Sequence, residues 1–142
     1  MAKVKSANPR AVTLEIAGFR VEGGLADGEY FTAEPASDSV LEVVGTDGEV
    51  SISQSSDGRW NCVLKLMETS DVGVFLAQLY NLRKRGNGTT GVFPFLYKDA
   101  DTGEVLTGPD AWIKKAPSVS KDRQATSREW QITIGSAEYE MI

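Results

Sequence analysis

Among its 142 residues the chain has no histidine and a single cysteine, Cys62. Without imidazole there is no Ser-His-Asp or Cys-His couple and no histidine metal site. With one thiol there is neither an internal disulfide nor a thiolate zinc site. Long apolar runs are missing too. None approaches the roughly 20 residues that span a bilayer, and Met1-Ala-Lys-Val-Lys-Ser6 does not lead into an apolar signal segment. The expectation is a protein that is cytosolic at synthesis, reduced, and without a membrane anchor. Basic charge is in the minority, with 15 Lys and Arg against 20 Asp and Glu for a net charge of −5. That balance argues against a duplex-binding protein, whose affinity rests on cations neutralising phosphates. Only carboxylate, Lys or Tyr chemistry and oxygen-ligated Mg or Ca stay open to catalysis.

What is present is the composition of an ordinary globular domain, 41% hydrophobic and 25% charged. The length suits one domain over residues 1–142, large enough to bury a single core. Most of the sequence alternates, which is the strand signature. Ala11–Ile16 is a first strand, and 18–22 continues it after a turn. Residues 23–39, rich in Gly, Asp, Ala, Ser and Pro, read as a long loop or extended arm with Tyr30 and Phe31 as its anchors. Residues 39–44 and 49–55 form strands around the Asp47-Gly48 turn, and 59–67 returns after Asp57-Gly58, so a three-strand meander is expected. The period then changes. Ser70-Asp71 precedes Val72, Phe75, Leu76, Leu79, Tyr80 and Leu82, the spacing of one helical face, and Arg83-Lys84-Arg85 followed by Gly86 marks its end. Beyond a turn over 86–91 come strands at 92–97 (with Pro94 signalling an edge or bulge), 104–107, 110–119 and 127–135. The fold class is mainly β, an antiparallel β-sandwich or half-barrel with one flanking amphipathic α-helix.

Several strands have one apolar and one polar face. Trp60, Cys62, Leu64 and Leu66 oppose Asn61 and Lys65; Trp130, Ile132 and Ile134 oppose Glu129, Gln131 and Thr133; Val50 and Ile52 oppose Glu49, Ser51 and Ser53. One buried face and one wet face is the habit of antiparallel sheets. Charge is segregated as well. From Val21 to Gly58 there are nine acidic residues and no Lys or Arg, whereas 110–128 holds five basic residues against two acidic ones. Such a division suits complementary patches and head-to-tail contact.

Candidate chemistry is sparse. Asp99-Ala-Asp101-Thr-Gly103-Glu104 has the oxygen-rich start of a calcium loop but lacks its later carboxylate, so it reads as a turn. The Gly-rich stretch Arg85–Gly91 lacks a phosphate-loop lysine and follows a helix, so it reads as a helix stop and connecting loop. Cys62 alternates with apolar neighbours and reads as core. No general acid, base and nucleophile come together, so no catalytic, cofactor or metal residue is assigned and the protein is expected not to be an enzyme.

Three segments together resemble the tail tube proteins of contractile-tailed bacteriophages. They are the Val44-Gly-Thr-Asp-Gly48 turn, the return through Ser51-Ile-Ser-Gln-Ser-Ser-Asp-Gly58, and Trp60-Asn-Cys-Val-Leu-Lys-Leu-Met-Glu-Thr-Ser70 running into the helix. The resemblance covers nearly the whole chain and extends to the Hcp-type tube of type VI secretion. It implies a noncatalytic subunit assembling as stacked hexameric rings, a conduit for DNA ejection. The partners it implies are other copies of the chain, a tail sheath protein, and tape-measure, baseplate initiator and tail terminator proteins. DNA would pass without specific binding. The place implied is the virion, assembled in the bacterial host cytoplasm.

On this reading Glu29, Tyr30, Phe31 and Glu34 belong to an inter-subunit arm. Glu49, Ser51, Ser53, Asn61, Lys65, Glu129, Gln131 and Thr133 face the lumen, and Arg83, Lys84, Arg85, Lys114 and Lys115 form a basic assembly patch. The alternative from a different class is a monomeric β-sandwich that binds a protein or small ligand.

Overall fold

The computed structural model of the chain describes residues 12–21, 23, 25 and 28–142. The first alternating segment forms β1 (Val12–Ile16), which turns back into the short β2 (Phe19–Arg20). There follow β3 (Phe31–Pro35), β4 (Val40–Val44), β5 (Val50–Gln54) and β6 (Trp60–Met67). One helix, α1 (Asp71–Arg85), separates these from β7 (Phe93–Asp99), β8 (Glu104–Lys115), β9 (Ser127–Ile134) and β10 (Glu138–Met141). The fold is mainly β with one helix, as expected.

The main sheet runs β2-β1-β7-β8-β9-β6-β3, with β10 paired to β8, and every pairing is antiparallel. Its apolar face supplies most of the core, including Ile16, Leu64, Leu66, Phe95, Ile113, Ile132 and Ile134, all buried. The sheet curls without closing. Phe31 on the edge strand β3 stacks its ring 4.8 Å from Tyr97 and 6.0 Å from Phe95 of β7, bringing two separated strands face to face. The Pro94 signal resolves to a bulge: β7 is paired on both sides, and its register with β8 shifts between Phe93 and Phe95. The segments expected at 104–107 and 110–119 are one strand, β8. Its Asp110 also accepts the Ser136 amide at 2.9 Å through Oδ1 and the Gly135 amide at 2.8 Å through its carbonyl, turning β9 into the unforeseen β10.

Helix α1 begins where Ser70 Oγ accepts the Val72 amide, and it lays Val72 and Leu76 on the core with Phe75, Leu79 and Tyr80 beside them. Leu82 was expected on this face and is instead 51% exposed. Gly86 ends the helix in an extended conformation, its amide donating to Leu82 O at 2.8 Å. A positive φ is therefore not its contribution. A Cβ there would press on Thr90 and lie 2.7 Å from Leu82 O, so glycine is needed for close approach.

Two expectations need correction. The three-strand meander does not form: among the described residues β4 and β5 pair only with each other, and β6 pairs with β3 and β9. At Asp57 the chain does not make a hairpin, because Arg59 is held by the Asp57 carboxylate at 2.9 Å and its carbonyl accepts the Ala36 amide, steering β6 in beside β3. Residues 23–39 are likewise not a loop or arm throughout. Phe31 and Ala33 pack inward while Thr32 and Glu34 face outward, so 31–35 is an edge strand. Residues 22, 24, 26 and 27 lie outside the described residues.

Candidate functional site

The polar side of the main sheet carries five of the eight residues expected to face a lumen. Cross-strand partners share a face, and the register sets Lys65 opposite Glu129, Val63 opposite Gln131 and Asn61 opposite Thr133. Glu34 on β3 pairs with Asn61, and Lys115 on β8 pairs with Gln131, so both join the same face. Among these residues the charges are two Lys and two Glu, which sum to zero. Thr133 is an exception to the expected exposure: at 4% it is buried, its hydroxyl 3.2 Å from Asn61 Oδ1. One end of the face is a polar cleft lined by Lys65, Lys115, Glu129 and Gln131 and walled by the 116–120 loop. That loop is held by Arg128, which donates to Ser120 O at 2.7 Å and to Glu68 at 3.1 Å; Lys121 adds a weaker contact to Glu68.

The other three, Glu49, Ser51 and Ser53, are not on this face at all. They belong to the separate two-stranded hairpin β4–β5, so the eight residues do not form one lining. The alternation of β5 is as read, but both sides of the hairpin are uncovered. Val40, Val44, Val50 and Ile52 on one side, and Leu41 and Val43 beside Ser51 and Ser53 on the other, are all exposed, Ile52 to 72%. Fully burying one such side chain is worth roughly 1.5–3 kcal/mol, so six left in water are a large unrealised term. The hairpin is nonetheless defined. Its tip closes with Gly45 N to Glu49 O at 2.7 Å and Gly48 at φ 85°, and its base with Ser55 N to Ser39 O at 2.8 Å. Below the base, Ser37 and Arg59 both donate to Asp57, which holds that carboxyl well below the usual carboxylate range.

The arm residues are tied into the domain. Tyr30 O accepts the Lys65 amide at 2.7 Å, burial raises the Tyr30 phenol, and Phe31 lies on Tyr97. Glu29 and Glu34 are exposed beside them. The basic residues do not form one patch. Arg83 donates to Thr90 O at 3.2 Å and Lys84 lies 5.8 Å from the Tyr80 ring centre, both on the helix side. Lys115 is on the opposite, polar side of the sheet, with Lys114 exposed next to it and Arg85 exposed at the helix end. Sequence proximity grouped them; the sheet separates them.

Among the described residues no three His, Cys, Asp or Glu side chains gather to hold a metal ion, and no helix is long and apolar enough to cross a membrane. Asp99 makes the expected turn, its Oδ1 accepting the Asp101 amide and its carbonyl that of Gly103, both at 2.9 Å. Cys62 is buried in the core, and burial pushes its thiol up to about 12 from the ordinary 9.0. The unfolded chain therefore loses this proton first, so the thiol's contribution to stability is whole below pH 9.0 and falls as pH rises towards about 12. We expect Cys62 in the folded protein to resist alkylation by iodoacetamide at neutral pH and to react fully in denaturant. Rapid labelling of the native protein would contradict this burial.

Residues 12–141 match the family described as Bacteriophage PhiTE tail tube protein. No curated protein matches the sequence. Among solved structures, a chain in the anti-feeding prophage cap, its tube-terminating cap, aligns with TM-score 0.61 at 8% identity over 100% of this chain and 95% of that one. A chain in the virion of a native gene transfer agent particle aligns with TM-score 0.61 at 14% identity, over 95% and 99%. A chain in the sheath/tube terminator of the PVC extracellular contractile injection system aligns with TM-score 0.59 at 8% identity, over 98% and 99%. At such identities these likenesses establish a common fold.

Proposed function

Because the chain belongs to the bacteriophage PhiTE tail tube protein family and so has a structural, tube-associated role in a virion, we propose that it is the repeating tube subunit. Copies assemble as hexameric rings stacked head to tail, and the stack is the conduit for DNA ejection. The observation that carries this reading is the exposed apolar hairpin 40–54. A two-stranded hairpin is marginal alone in water, and an uncovered apolar patch on a defined element marks an interaction surface. A neighbouring copy is the cover a self-assembling subunit supplies.

The polar sheet face suits the inside of such a conduit. Its Lys65–Glu129 pairing and near-zero sum of charge leave little to bind a phosphate backbone through counterion release. The outer surface would meet a sheath protein. Tape-measure, baseplate initiator and terminator proteins would set the length and ends of the tube, with assembly in the host cytoplasm. The chemistry needed is surface and symmetry, without a catalytic step.

The test is assembly. Ile52→Glu changes an exposed side chain, so its circular dichroism and melting should match the parent within about 0.5 kcal/mol, while its rings or tubes disappear from negative-stain micrographs and sedimentation. A parent protein that stays monomeric even with its tail initiator present would overturn the reading in favour of a monomeric binding module. Undiminished tubes from Ile52→Glu would remove the hairpin from it.

A further inference from the structure

The hairpin has a particular counterpart on the same chain. Helix α1 ends in an open groove of about 550 Å³ lined by Gln78, Asn81, Leu82, Arg85, Gly86 and Thr90. Its floor is apolar, with Leu82 half in water. The far wall is preformed, because the loop after the helix folds back on it. Arg83 donates to Thr90 O, Thr90 Oγ1 donates to Asn87 O at 3.0 Å, and Gly91 passes so close to the Arg83 backbone that no side chain would fit. Three consecutive cations, Arg83, Lys84 and Arg85, stand at this end.

The hairpin presents the complementary chemistry. Its register puts Glu42 directly opposite Ile52 and Val44 opposite Val50, so one face offers apolar side chains with a carboxylate among them. From 39 to 55 the charges are Glu42, Asp47 and Glu49, with no cation. An apolar surface carrying acid thus complements a groove with an apolar floor and Arg85 in its wall. Among the described residues neither is satisfied: the hairpin strands pair with each other alone, and their apolar side chains remain in water. Hairpin and groove sit on different elements, so each copy can offer its hairpin to the groove of the next, a heterologous contact of the kind that closes rings or propagates a stack.

We propose that the occupant of the groove at the C-terminal end of α1 is the β4–β5 hairpin of a second copy of this chain, with Ile52 and its neighbours over Leu82 and Glu42 beside Arg85. This rests on the self-assembling reading above and specifies which two surfaces of the subunit meet.

Cross-linking tests it, and the buried Cys62 leaves the background low. Ile52→Cys and Leu82→Cys proteins, each exposed substitutions, are mixed and assembled with the tail initiator, then treated with a short bismaleimide. A covalent dimer is expected from the mixture and from neither protein alone, and Val119→Cys, 90% exposed and on neither surface, should replace neither partner. As a second readout, Glu42→Arg or Arg85→Glu alone should raise the concentration needed for assembly roughly tenfold, and the two reversals in one chain should restore most of it. Tubes that form without the 52–82 link, or reversals that do not compensate, would overturn this pairing while leaving self-assembly standing. If the parent forms no oligomer under these conditions, the self-assembling reading fails, and this inference with it.

Discussion

Replacing Gly91 by alanine is expected to lower stability by about 2–5 kcal/mol, a melting temperature lower by roughly 10–20 °C. Two costs combine. Gly91 has φ 85°, a left-handed conformation that costs an L-residue roughly 1–2 kcal/mol. Its new Cβ would also lie 2.5 Å from Arg83 N and 2.6 Å from Arg83 Cα. Both are backbone atoms of a helix, so no side chain can rotate away and the loop must lift. Gly88, in the same loop at φ 63° with nothing within 4 Å of the position a Cβ would take, is the matched control. Gly88→Ala should lose only the conformational part, about 1–2 kcal/mol. Thermal melts of the two variants measure the difference, and equal losses would show that the close packing of loop on helix contributes nothing.

Ile132→Ala is the second large effect, about 2–5 kcal/mol from lost burial and the cavity left behind. Ile132 is fully buried in β9, opposite Cys62 of β6 on one side and Ile113 of β8 on the other. With strands paired on both sides the backbone has little room to collapse into the void. Ile52→Ala is the comparison, the same residue type in an equally regular alternating strand. There the expected change is within about 0.5 kcal/mol, because the side chain is already in water. Urea denaturation of both variants checks the pair. A large loss at Ile52 would mean that the hairpin packs on its own domain.

That pair of isoleucines shows where sequence reasoning reaches its limit. Both lie in period-2 segments with polar partners, and alternation states that one face wants cover without stating what covers it. For Ile132 the cover is the chain's own core; for Ile52 none of the described residues supplies it. The same limit produced the false meander. Asp57-Gly58 has the residues of a hairpin turn, but the Arg59 contact to Asp57 and the bond from Ala36 redirect the strand, and both are tertiary. At β3 the signal was present and outweighed: Phe31-Thr-Ala-Glu34 alternates within a stretch otherwise full of turn formers. The basic residues were grouped by their neighbours in sequence, although alternate residues of a strand and a helix across the sheet point to opposite sides.

The sequence alone determined the class of the fold and most of its parts. Helix α1, its serine cap, the turn at Asp47-Gly48, the buried thiol and the inward faces of β6 and β9 all follow from spacing within a few residues, where local physics acts. Through the missing histidine and lone cysteine it also narrowed the available chemistry to carboxylate, Lys and Tyr groups and oxygen-ligated metals. Tertiary structure decided which strands meet, which lumen candidates share a face, and that the hairpin is left uncovered. The physical reason is that pairing between distant strands depends on competition among all apolar faces for one core, and a local period carries no record of which face is left out. In this chain the face left out is the one we propose for assembly.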